Sequence, residues 1–242
     1  MSHPMKSMRY LVLGALLALA AFAAEPEVQI PPAPTHYMGR EIAVTMHYTG
    51  APWLVRKSRD REEDTKQLLK QLAAHLKPGD SACDLGCGNG FYTIPMARMV
   101  GEKGKVYAVD IQPEMIDLLK EETDKAKMPP GIVVPIVNNA VDARLPAESC
   151  DLILLVDVYH EFSHPRQMLA SMRSALKKTG RIALVEFRAE DPKVPIKPQH
   201  KMSKAQVKKE WEANGFQIAE QFDELPWQHL IYLKRGDADE KK

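Results

Sequence analysis

The stretch Asp84-Leu85-Gly86-Cys87-Gly88-Asn89-Gly90 constrains this chain more than any other. Glycines at alternate positions let a backbone turn sharply and approach a ligand closely, because no Cβ intervenes. The loop follows a short apolar run, Ser81-Ala82-Cys83, and precedes a helix-like stretch from Tyr92 to Val100. Asp110, 20 residues beyond Gly90, closes a second strand-like run that begins at Lys105. A glycine loop with a later strand-end acid is the logic of a nucleoside site: backbone near one end of the ligand, carboxylate on the ribose hydroxyls.

Spacing narrows the nucleoside. A dinucleotide fingerprint reads G-x-G-x-x-G, whereas this loop reads G-x-G-x-G with Phe91 after Gly90. No lysine-serine pair follows, so a P-loop is excluded as well. Asp84-x-Gly86-x-Gly88-x-Gly90 followed by Asp110 resembles motifs I and II of the class I S-adenosylmethionine (SAM) methyltransferases, over about Leu68 to Arg235. The resemblance implies SAM as cofactor. It puts Asp84 and the three glycines at the methionine part and Asp110 at the ribose, with the adjoining Ile111 also cofactor-binding. Asn139 matches best the residue near the adenine amino group, with Asp142 competing, and Asp157 completes the set.

The order of elements agrees with that resemblance. Thr65 to Leu76 repeats apolar residues at Leu68, Leu69, Leu72 and Leu76, one stripe of a helix. Strands are expected at 81–84, 105–110, 132–137, 150–158 and 181–187, separated by helices at 92–100, 113–126 and 165–176. Pro135 places the third strand at an edge or irregular position. Ser203 caps a further helix that stops at Asn214-Gly215. Phe216 to Phe222 and His229 to Lys234 are too close for a crossover helix, so they must pair antiparallel. The expected fold is α/β: a Rossmann-like parallel sheet with helices on both faces and a C-terminal antiparallel hairpin. No internal repeat is visible.

Chemistry is expected after the fourth strand, in Asp157-Val158-Tyr159-His160-Glu161. SAM carries its own electrophile, so the protein must position an acceptor and, where needed, remove its proton. His160 is the candidate base and Tyr159 a candidate for orienting the substrate. The family's Asn/Asp-Pro-Pro-Tyr/Phe sequence and Pro-Cys nucleophile are both absent, which points away from amino-group and cytosine C5 methylation. His160-Glu161-Phe162-Ser163-His164 satisfies H-E-x-x-H, but that zinc motif needs one continuous helix, and here a β-rich run enters it and Pro165 follows. No metal site is expected. A zinc hydrolase and a noncatalytic nucleoside-binding domain are the alternatives to a small-molecule methyltransferase. Tyr37 to Arg61 could form a lid, with Trp53 beside Arg56 or Arg59, and His200 could line the opposite side of the pocket.

The N-terminus reads as an export signal. Lys6 and Arg9 precede the apolar run Tyr10 to Ala24, and Ala21-Phe22-Ala23 offers a cleavage site. That run falls short of the roughly 20 residues of a membrane span, so an uncleaved anchor is the second choice. Cleavage after Ala23 leaves 31 basic and 32 acidic residues from the original 33 and 32, so nothing draws the chain to nucleic acid. The expected organisation is a signal peptide at 1–23, a proline-rich linker and cap at 24–66, a methyltransferase domain at 67–236 and a charged tail at 237–242. The mature protein is expected to be periplasmic, with no stable membrane span. Cys83, Cys87 and Cys150 form no disulfide pattern.

Overall fold

A computed structural model describes residues 29–236. The expected signal peptide and the charged tail lie outside the described residues. Among the described residues, no helix is long and apolar enough to cross a membrane.

A small antiparallel hairpin comes first, β1 (His36–Tyr37) with β2 (Arg40–Glu41). A 3-10 segment, Tyr48–Val55, and two helices follow, α1 (Arg59–Glu63) and α2 (Thr65–His75). The central sheet then begins with β3 (Ser81–Leu85), α3 (Thr93–Val100), β4 (Lys105–Asp110), α4 (Pro113–Lys125) and β5 (Val133–Val137). It continues through β6 (Cys150–Val156), α5 (Pro165–Ala175), β7 (Leu176–Phe187), α6 (Lys204–Ala213), β8 (Phe216–Phe222) and β9 (Gln228–Arg235).

The seven main strands are ordered β5-β4-β3-β6-β7-β9-β8. Pairings from β5 to β7 are parallel, and β9 runs antiparallel to both β7 and β8. β5 is an edge strand, which is why it tolerates Pro135 and its missing donor. Apolar residues of α2, α3 and α4 cover one face: Leu68, Leu72, Met96, Ile116 and Leu119 are all buried. Met168, Leu169, Met172, Val207 and Trp211 of α5 and α6 cover the other. The three cysteines are free and buried.

One boundary differs from expectation by more than two residues. β7 begins at Leu176, directly after α5, rather than at Arg181. Its register against β6 jumps from Cys150↔Leu176 to Leu152↔Arg181, so the extra residues form a bulge. Gly180 sits there against the Cys150 carbonyl, where a Cβ would fall 2.8 Å from that oxygen. Gly180 is therefore a bulge glycine inside a strand.

Candidate active site

The switch from β4-β3 to β6 in a parallel sheet leaves a crevice beyond the strand ends. A cavity of about 660 Å³ occupies it, within the range of small-molecule sites. Gly86, Gly88, Asp110, Ile111, Asn139 and Asp157 all line it. His160 and His200 line the same cavity.

The glycine loop is shaped by its neighbours. Gly86 and Gly88 have φ of +76° and +53°, and a Cβ on either would overlap Val158 or Leu54. Asp110 holds the loop closed: one carboxylate oxygen accepts from Gly88 N at 2.9 Å, the other from Gln112 N at 3.0 Å. Burial raises the Asp110 pKa while these backbone donors oppose the rise. A carboxylate has about four acceptor positions, so two remain for a ligand.

Two residues expected at the methionine part stand behind the loop instead. Asp84 is buried, does not line the cavity, and accepts from the Thr93 hydroxyl at 2.6 Å. Burial pushes its carboxyl up to about 6. Gly90 packs on Leu119 of α4. Asn139 lines the cavity, but its side-chain oxygen accepts from Val141 N and Asp142 N. Its competitor Asp142 binds Ser171 and Arg144 N outside the cavity. Asn138, which the sequence reading passed over, lines the cavity with a buried, unpartnered side-chain oxygen. One oxygen of Asp157 is likewise unpartnered, the other accepting from Gln228 at 2.6 Å. Burial first, then Glu63 and Glu186, drive the Asp157 pKa well up.

These features fit SAM. A cradle with no room for Cβ admits close backbone approach, and orphaned buried acceptors suit the donors of a nucleoside.

The other end is built from side chains. His160 is buried, and its Nδ1 lies 2.6 Å from Glu186, a fully buried carboxylate on β7. Its Nε2 faces His200 Nδ1 at 3.1 Å. Burial lowers the His160 pKa, but Glu186 and Glu161 together outweigh it and the net shift is upward. His200 is lowered by burial and by His160. Glu161 is pushed up to about 7, chiefly by burial. A charged residue within the apolar run Ile182–Phe187 was the one available signal for Glu186.

Tyr159, expected to orient the substrate, does not line the cavity. Its ring is fully buried against Trp211 and Phe162, and its hydroxyl donates to Glu210 at 2.6 Å. The H-E-x-x-H motif lacks its continuous helix, as the sequence context implied, since His160-Glu161 lies in a 3-10 turn (Tyr159–Glu161) and His164 precedes α5. Both His164 ring nitrogens are engaged elsewhere, by Ser163 and the Pro31 carbonyl.

The N-terminal segment roofs the cavity through Met46, Trp53, Leu54, Arg56 and Arg59. Arg40 fastens it, with a bidentate pair to buried Glu210 at 2.8 and 3.1 Å and a third bond to the His160 carbonyl. Gln112 ties down the middle, bonding Met46 O and Tyr48 N.

Known proteins resemble this chain in sequence and in fold. Residues 76–235 match a family described as a methyltransferase domain. A SAM-dependent methyltransferase from Aquifex aeolicus superposes with a TM-score of 0.71 at 26% identity, covering 78% of this chain and 98% of that one. The 2-phytyl-1,4-naphtoquinone methyltransferase of Trichormus variabilis is 27% identical over 50% of this chain and 54% of its own length. The ubiquinone/menaquinone biosynthesis C-methyltransferase UbiE of Vibrio vulnificus is 31% identical over 46% and 42%. This chain thus spans about half the length of these curated relatives. The matched region contains the whole sheet, the glycine loop and the Asp110 strand end, and on that ground the chain belongs to the class I SAM-dependent methyltransferases.

Proposed function

We propose that this chain transfers the methyl group of SAM to a small, largely apolar acceptor that carries a hydroxyl or enol oxygen. The observation that carries this reading is one continuous cavity with Asp110 and Ile111 at one end and His160 and His200 at the other. When bound, SAM supplies an activated sulfonium methyl. The residues of the chain then need only bind, orient and manage a proton.

Asp110 has acceptor capacity left for ribose hydroxyls. Ile111, 43% exposed at the strand end, offers an apolar surface to a base. Asn138 and Asp157 present acceptors to donor groups. Toward the acceptor end, Phe162, Phe187 and Ile196 line apolar wall. His200 stays neutral near pH 7 and can take a proton, while His160, fixed by Glu186, orients it through the 3.1 Å contact. The roof of Trp53 and Leu54 suits a small molecule better than a nucleic-acid strand. The quinone-directed names of the two curated relatives support a flat, oxygenated ring as acceptor.

We also infer export to the periplasm, from the basic-apolar-small pattern of residues 1–23. Recovery of cytosolic protein with an intact N-terminus would sink it.

Calorimetric titration with SAM and S-adenosylhomocysteine, beside an Asp110→Ala variant and NAD as control, tests the cofactor reading. Micromolar binding is expected, weakened roughly 10–100-fold in the variant by loss of charge-assisted bonds. A folded protein that binds neither compound overturns the proposal.

A further inference from the structure

We propose that His160, Glu161 and His200 form a site for a divalent transition-metal ion of the zinc type, at the acceptor end of the cavity. The three donor atoms converge. His160 Nε2 and His200 Nδ1 are 3.1 Å apart, and Glu161 Oε1 lies 3.9 Å from each. In a triangle with those sides, the point equidistant from the corners lies about 2.1 Å from each, the usual zinc–nitrogen and zinc–oxygen bond length. An ion fits among the three atoms with little movement of any side chain. It is the one trio of potential ligands this close together among the described residues.

The supports behind the trio are those of a metal centre. A ligating histidine usually presents its other ring nitrogen to a carboxylate, which fixes the ring and strengthens the donor. Glu186 does this for His160 at 2.6 Å and also accepts from the His160 backbone N–H at 3.3 Å. Glu161 is steadied by Met46 N, 3.4 Å from both of its oxygens. Without metal, the facing histidine nitrogens must share a proton to stay 3.1 Å apart; an ion would take the place of that proton.

Two histidines and one glutamate are the donor set of a catalytic rather than a closed structural zinc site, leaving a position open. All three residues line the cavity, so that position faces the acceptor. Resting on the methyltransferase reading, the acceptor class becomes a phenol or enol. Its oxygen would bind the ion as the anion, its proton leaving to solvent rather than to His200, whose free electron pair is then on the ion. The sequence hides this site because His200 lies 40 residues from His160 and belongs to no motif.

The test is titration of the untagged full chain with Co²⁺, read in the visible spectrum, and with Zn²⁺ by calorimetry. One ion per chain is expected, with the visible bands of a low-coordinate cobalt site. His200 is partly exposed, so His200→Ala should fold, and it should lose the bands and at least about 100-fold in affinity. Glu186→Gln should weaken binding roughly 10–100-fold, as outer-sphere changes do. His164→Ala should leave binding unchanged, whereas the H-E-x-x-H alternative requires its loss. No binding, or equal binding by wild type and His200→Ala, overturns the site. SAM titrated separately distinguishes the two failures: SAM binding without metal removes only this proposal, and metal binding without SAM removes only the methyltransferase reading.

Discussion

The two ends of the cavity are made by opposite means. At the glycine-loop end the surface is mostly backbone, set by Gly86, Gly88 and one carboxylate, Asp110, within 25 residues of sequence. At the histidine end it is side chain, assembled from residues as far apart as Arg40, His160, Glu186 and Glu210. A short loop can be specified locally, so it can be common to many proteins. A constellation drawn from four elements depends on the packing of the whole fold, and is where one family member can differ from another.

The sharpest way to break this contrast is to release the roof while leaving the loop alone. Glu210 is fully buried and accepts from Arg40, Tyr159 and Gln206 at once. Glu210→Ala strands a buried guanidinium, which should cost about 3–5 kcal/mol in urea unfolding. A loss under about 1 kcal/mol would mean that the roof is not fastened by this clamp.

Gly86 is where the two ends touch. Alanine there meets a positive φ, worth about 1–2 kcal/mol, and overlaps Val158. Overpacking adds roughly 1–3 kcal/mol. Adding Val158→Ala should recover the packing part and leave the backbone part. If the double variant is no more stable than Gly86→Ala, the overlap with Val158 is not what the loop resists.

A third test concerns the acid behind the loop. Asp84 holds its proton more tightly when folded, since burial lifts its carboxyl from 3.8 to about 6. A raised folded value favours the folded state below the unfolded pKa, and that advantage disappears as pH rises through about 6. Two units correspond to about 3 kcal/mol at most. Asp84→Asn keeps an acceptor for Thr93 and cannot ionise. Its stability should therefore fall less than that of wild type between pH 4 and pH 7. Parallel pH curves for the two proteins would refute the assignment.

What could be read from the sequence follows the same division. Asp110 was legible because a strand-end acid sits at a fixed distance from the glycine loop, and the edge position of β5 because proline lacks a donor. The antiparallel hairpin was legible because the gap between Phe222 and Gln228 is too short for a helix. Tyr159 was misplaced because the chain turns in 3-10 fashion after Val158, sending that ring into the core while His160 stays at the cavity. Nothing in residues 159–161 announces that turn. Asn138 and Asn139 are adjacent amides, and only the tertiary fold decides which oxygen is left free. Glu186, Glu161 and His200 meet through the sheet and a distant loop, and no local period records such a meeting.

The smallest effect should come from the rim of the roof. Trp53 is 51% exposed, and the Arg56 guanidinium lies 3.9 Å from its ring centroid. Arg56 also pairs with Glu62 and Glu63, both at 2.7 Å, so it remains held when the ring is gone. A half-exposed cation–π contact is worth about 0.5–1 kcal/mol. Trp53→Ala should therefore lower unfolding stability by no more than about 1 kcal/mol, far less than Glu210→Ala. If the two losses were equal, the roof would be secured along its edge rather than at Arg40, and the histidine end would owe its shape to the surface instead of the core.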